Sequence, residues 1–81
     1  MNFGDALQAL KSGHVVSRSG WNAANQYVTF VPEQIVECSF PFIPADSAKL
    51  NPHFLLKTAQ GSLSTWVPSI TDCLAEDWII L

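Results

Sequence analysis

The sequence predicts an α+β domain: an N-terminal helix packed on a twisted, mostly antiparallel β-sheet, with a short second helix before the last strand. Three observations carry this expectation. Phe3, Leu7 and Leu10 recur at helical spacing near the start of the chain. Short β-rich runs punctuated by glycine and proline follow. A helix start at Ser69-Ile70-Thr71-Asp72 then precedes the apolar end Trp78-Ile79-Ile80-Leu81.

In the first helix Ala6 joins the apolar stripe, while Asp5, Gln8 and Lys11 lie outside it. Asn2 with Asp5 three residues later approximates a capping box, and Gly13 suits the left-handed residue past the helix end. His14–Arg18 reads as a strand followed by the turn residues Ser19-Gly20. Gln26–Val31 is a second strand, stopped by Pro32, and Gln34–Phe40 a third. Residues 41–53 carry Pro41, Pro44 and Pro52 and fit no regular element. His53–Ala59 and Ser62–Val67 form a hairpin around Gln60-Gly61. Ser69 is the N-cap of the second helix and Asp72 its third residue. That helix must be short, because the closing strand begins by Trp78.

Residues 1–81 make one domain. Apolar residues are 48% of the chain and charged ones only 14%, against roughly 25% charged in ordinary soluble domains. A domain this small has more surface per residue and should carry more charge, so another copy of the chain is expected to cover part of it. The net charge of −3 argues against binding nucleic-acid polymers or membrane surfaces, both of which need clustered Lys and Arg. The start lacks the basic and apolar regions of a signal peptide, and no run is long enough to span a bilayer. Cys38 and Cys73 form no Cys-x-x-Cys pair and are expected as buried, reduced thiols of a cytosolic protein.

All three tryptophans and all four glycines fall in two segments at opposite ends of the chain. Trp21, with Asn22, Asn25 and Gln26 close behind, reads either as an aromatic platform beside carboxamides or as a core residue before a polar turn. An aromatic face stacks on a base, and amides read base edges or ribose hydroxyls. Arg18 suits a bidentate grip on pyrophosphate, or equally an ion pair with Asp72, Glu76 or Asp77. Lys57 divides in the same way between a ligand contact and a solvated strand position. Trp66 and the helix start Ser69–Asp72 form a second candidate pocket, since a helix N-terminus offers free N–H groups. There Asp72 serves either as a cap or as an acceptor for a ribose diol. Trp78 reads as core or subunit interface. His14 and His53 have no nearby motif, metal-ligand spacing is absent, and no nucleophile motif or Gly-rich phosphate loop occurs. No catalytic residue, metal or cofactor is therefore expected.

Taken together, Phe3-Gly4-Asp5-Ala6-Leu7, Lys11-Ser12-Gly13, Val16-Ser17-Arg18-Ser19-Gly20-Trp21-Asn22, Lys57-Thr58-Ala59-Gln60-Gly61, Trp66-Val67-Pro68-Ser69 and Thr71-Asp72-Cys73-Leu74-Ala75-Glu76-Asp77-Trp78 form a pattern. It resembles the small phage proteins of the second anti-Thoeris type, earlier known only as a domain of unknown function. The matching blocks cover about half the chain. Family members carry glycine after Trp-Asn where this chain has Ala23-Ala24-Asn25-Gln26, and residues 32–53 match no family pattern. The resemblance implies a non-enzymatic sponge for a cyclic ADP-ribose isomer, glycocyclic ADP-ribose. Such a signal is made by a bacterial Toll/interleukin-receptor-type immune enzyme, and sequestration keeps it from its effector. It further implies a homotetramer in the host cytoplasm, with pockets between protomers. The ligand-binding set is then Arg18, Trp21, Asn22, Asn25, Tyr27, Trp66, Ser69, Thr71 and Asp72. Cyclic dinucleotides of CBASS-type defence are the alternative ligands; a protein-interaction module and a nucleotide-degrading enzyme are the alternative functions.

Overall fold

The computed structural model describes residues 1–21, 25–37 and 47–81. Helix α1 (Phe3–Lys11) is followed by strands β1 (Val16–Arg18), β2 (Tyr27–Val31), β3 (Gln34–Glu37), β4 (Ser47–Leu50), β5 (His53–Lys57) and β6 (Leu63–Trp66). Helix α2 (Ile70–Leu74) and strand β7 (Trp78–Ile80) complete the order. The expected α+β architecture is the one observed.

Both ends of α1 follow from the residues named above. The Asn2 side chain accepts the Asp5 N–H at 2.9 Å. At the other end Gly13, at φ +93°, lets its own N–H return to the Leu10 carbonyl and that of His14 to the Ala9 carbonyl. This doubly bonded cap satisfies the last carbonyls of the helix. It also explains why β1 begins at Val16 rather than at His14: the His14 N–H is already committed to the helix.

The main sheet runs β6-β5-β2-β1-β7, with every neighbour antiparallel. The chain reaches the far edge by way of α2, which links β6 at one edge to β7 at the other. Register aligns Val16 with Val28, Val28 with Leu56, and Arg18 with Trp78. Directly opposed residues share a face, so these side chains line the side of the sheet on which α1 packs. Ala6, Ala9 and Leu10 from the helix meet Val16, Val28 and Trp78 from the sheet in the buried core. Around it the rings run in contact from Phe30 through Phe54 and Trp66 to Trp78, with Phe3 and Trp21 also against Trp78.

The β5–β6 hairpin turns where Gln60-Gly61 predicts. Gly61 sits at φ +90° and its N–H bonds the Thr58 carbonyl at 2.9 Å. The strands are shorter than expected, and the Thr58 and Ser62 hydroxyls pair within the turn at 2.7 Å.

Two expectations need correction. The stretch 41–53 contains a strand, β4, which pairs with β3 as a separate two-stranded sheet, Gln34 opposite Leu50 and Glu37 opposite Ser47. Its Ser-Ala-Lys-Leu sequence has little intrinsic strand preference, so pairing with β3 is what makes it extended. Lys49 of β4 makes an ion pair at 2.8 Å with Glu33, the residue just before β3. The predicted extension of the third strand beyond Glu37, like Cys38 and residues 41–46, lies outside the described residues. The second correction is Cys73, a free thiol that is exposed rather than buried. Only Asp72 of α2, with Ala75 just past its end, turns inward, and every other residue of the helix faces out. Polar anchors rather than an apolar stripe hold this helix down.

Candidate functional site

The two segments rich in special residues meet across the β1–β7 edge. Arg18, the last residue of β1, stands opposite Trp78. A tight turn follows, closed by the Trp21 N–H on the Arg18 carbonyl at 3.2 Å. Facing it is the start of α2. There Ser69 accepts the Asp72 N–H at 3.0 Å, and the Asp72 carboxylate accepts the Ser69 N–H at 3.0 Å. This is the complete capping box that the residues predict.

Arg18 ties the two parts together. Its Nη1 donates to Asp72 Oδ1 at 2.9 Å and its Nε to Asp77 Oδ1 at 2.8 Å. Of the two roles open to Arg18 and to Asp72, the ion pair and the helix cap are thus occupied here. Glu76, the third possible partner, is exposed and makes no ion pair among the described residues. Beneath lies Trp78, only 1% exposed, whose Nε1 donates to the Asp72 carbonyl at 2.9 Å. Trp21 meets Trp78 edge-on at 5.5 Å and Trp66 does so at 6.1 Å, and both are half-buried.

Arg18, Trp21, Trp66 and Asp72 therefore gather around one buried indole, with Ser69 joined to the group through Asp72. Thr71 is exposed on α2, and Asn25 is exposed in a turn at φ +62°, a left-handed conformation that asparagine tolerates. Tyr27 stands elsewhere. Its neighbour Val28 is buried in the core, so strand alternation puts Tyr27 on the opposite face of the sheet. There Lys57 lies over its ring at 5.3 Å. Asn22 lies outside the described residues. Sequence reasoning left Asp77 and Gly20 out of the candidate set. The Gly20 N–H donates to Asp77 Oδ2 at 2.8 Å; the signals were a glycine directly before a tryptophan and, for Asp77, its place among the possible ion-pair partners of Arg18.

The electrostatics of this cluster give a pH dependence. The Arg18 hydrogen bond, against some loss of hydration and with help from the Gly20 N–H, holds the Asp77 carboxyl below the usual range. Partial burial pushes Asp72 up, but the Ser69 N–H and Arg18 outweigh it and the net direction is down. Both groups bind protons less readily folded than unfolded. Their contribution is therefore complete above the ordinary aspartate range and is lost as pH falls through the lowered folded values. Urea denaturation should give a constant stability above about pH 5 and a decline below roughly pH 4. Asp72→Asn should flatten part of that decline, and an unchanged acid slope in this variant would show that the Asp72 carboxylate is not coupled to folding.

Among the described residues, no three of His, Cys, Asp and Glu come together as a metal site. No helix is long and apolar enough to cross a membrane.

Comparison with known proteins adds two findings. A family profile described as the Thoeris anti-defense 2-like domain matches residues 1–81. A protein of Bacillus phage SP01 named Thoeris anti-defense 2 is 40% identical over 85 aligned residues, which cover 100% of this chain and 94% of that protein.

Proposed function

The chain belongs to the Thoeris anti-defense 2-like family, and on that premise we propose that it disarms Thoeris by sequestering the immune signal rather than destroying it. The ligand is a cyclic ADP-ribose isomer, glycocyclic ADP-ribose, bound in the host cytoplasm and released chemically unchanged. The observation that carries this reading is the convergence of Arg18, Trp21, Trp66 and Asp72 on Trp78, with Ser69 bonded to Asp72 beside them. Aromatic surface for a base, a carboxylate for ribose hydroxyls and a guanidinium for phosphate lie in one place. Arg18 uses Nε and Nη1 within the fold, and its Nη2 has no acceptor among the described residues.

The reading also asks for tight binding. A sponge competes by affinity and copy number alone, so nanomolar dissociation, about −12 kcal/mol, is the scale required. Stacking at ~1–3 kcal/mol per aromatic and charge-assisted hydrogen bonds at ~1.5–3 kcal/mol each reach that after association costs. Catalysis would not be helped by such ground-state affinity.

The protein is further proposed to be a homotetramer. Val67, Ile70 and Leu74, at and around α2, are 85%, 80% and 76% exposed, and Ile79, Ile80 and Leu81 are open at the β7 edge. A second copy that covers these groups would also wall in a site which a single chain leaves open. Light scattering should return a mass well above the 8.9 kDa of one chain, and a stable monomer at micromolar concentration would refute it.

Sequestration is tested by incubating the protein with one molar equivalent of glycocyclic ADP-ribose, denaturing it by heat, and assaying the supernatant for effector activation. Full recovery is expected. Loss of activity with a new nucleotide mass would make the protein an enzyme. No uptake of this compound, with uptake of a cyclic dinucleotide, would move the target to another signal.

A further inference from the structure

We propose that Asp77 is a positioning residue for this site: with Gly20 it forms a clasp that fixes where Trp21 stands, without itself touching the ligand. One residue receives bonds from three consecutive residues of the turn. Arg18 Nε reaches Oδ1 at 2.8 Å, the Ser19 N–H reaches the Asp77 carbonyl at 3.0 Å, and the Gly20 N–H reaches Oδ2 at 2.8 Å. The next peptide N–H, that of Trp21, closes the turn on Arg18. Its indole then meets the ring of Trp78, the residue directly after Asp77. Two adjacent residues thus hold Trp21 from both sides, by a carboxylate on its backbone turn and by an aromatic ring on its side chain.

Gly20 is needed for closeness, not for backbone freedom. Positive φ occurs among the described glycines only at Gly13 and Gly61, so alanine at 20 meets no backbone strain. A Cβ there would instead sit 2.7 Å from Asp77 Oδ2, nearer than nonbonded atoms allow. Gly20→Ala therefore pries the clasp open while removing no polar group. Asp77→Asn opens it chemically, because the carboxamide turns a donor toward either Arg18 or the Gly20 N–H, both of which are donors themselves.

The consequence for affinity rests on the sponge reading; the placement of Trp21 does not. The test labels the full chain with 5-fluorotryptophan and follows three ¹⁹F resonances, assigned with Trp21→Phe and Trp66→Phe. In Gly20→Ala and in Asp77→Asn the Trp21 resonance should shift or broaden while that of Trp66 holds still. The dissociation constant for glycocyclic ADP-ribose should rise on the order of tenfold, within the range that a misplaced stacking platform gives. The double variant should be no weaker than the worse single one, since both act on one contact. A Trp21 resonance unmoved in both variants overturns the proposal, as does a moved resonance with unchanged affinity. Gly20→Ala carries the test if Asp77→Asn fails to fold; if both unfold, the clasp is a stability device and the proposal falls. Absence of binding by the unaltered protein overturns the sponge reading instead, and the Trp21 resonance alone then judges the clasp.

Discussion

Trp78→Ala should cost roughly 3–5 kcal/mol of folding stability, the range for truncating a large aromatic in a packed core. Trp78 is only 1% exposed and is the hub on which Phe3, Trp21 and Trp66 pack. Its Nε1 also donates to the Asp72 carbonyl, so truncation leaves a cavity and takes away the shorter of that carbonyl's two hydrogen bonds, the Ala75 N–H at 3.4 Å remaining. A chain of this length has a total stability of about 4–12 kcal/mol, so the loss is a large share of the whole. Trp78→Phe separates the two contributions. It keeps much of the apolar volume but forfeits the hydrogen bond, and should fall between the native protein and the alanine variant. Urea unfolding followed by circular dichroism measures all three. A loss under about 1 kcal/mol for the alanine variant would mean that the indole is not the centre of the core.

What the sequence made legible is what local chemistry decides. Gly13 and Gly61 sit at positive φ, which few other residues supply, Asn2 caps α1 through its side chain, and Ser69 with Asp72 bond each other across three positions. Those elements appear where the residues predict. Features set by distant partners were not legible. β4 is extended because β3 lies beside it, and Cys73 is exposed because α2 is anchored through Asp72, not through an apolar face. Arg18 has three acidic residues within six positions to choose from, and its placement opposite Trp78 goes with pairing to Asp72 and Asp77, not Glu76. Tyr27 shows the same limit. Both alternating sets of β2, Val28 with Phe30 and Tyr27 with Val31, contain apolar residues, so periodicity alone does not say which set faces the core. The gathering of Trp21 and Trp66 on one indole is likewise a product of the sheet order, which brings β7 back beside β1.

Trp21→Ala should weaken binding of glycocyclic ADP-ribose roughly 5- to 150-fold, equivalent to the ~1–3 kcal/mol of one lost stacking platform. The half-buried position of Trp21 makes this a sharper test than a fully exposed ring would. Its edge contact with Trp78 means that truncation also removes packing, so binding must be measured by calorimetry well below the variant's unfolding temperature. Trp21→Phe resolves the two effects. A phenyl ring retains an aromatic face and most of the contact with Trp78, and should recover stability more completely than affinity, because its stacking surface is smaller. Trp78→Ala should show the opposite balance: if folded protein can be obtained, its stability is impaired first, and its affinity only through the displaced Trp21 and Trp66. If Trp21→Ala instead binds within twofold of the native protein, the ring is core filler and Trp66 is left as the aromatic surface for the base. Such a result would also remove the reason for a clasp at Gly20, since the turn would then place nothing that the ligand meets.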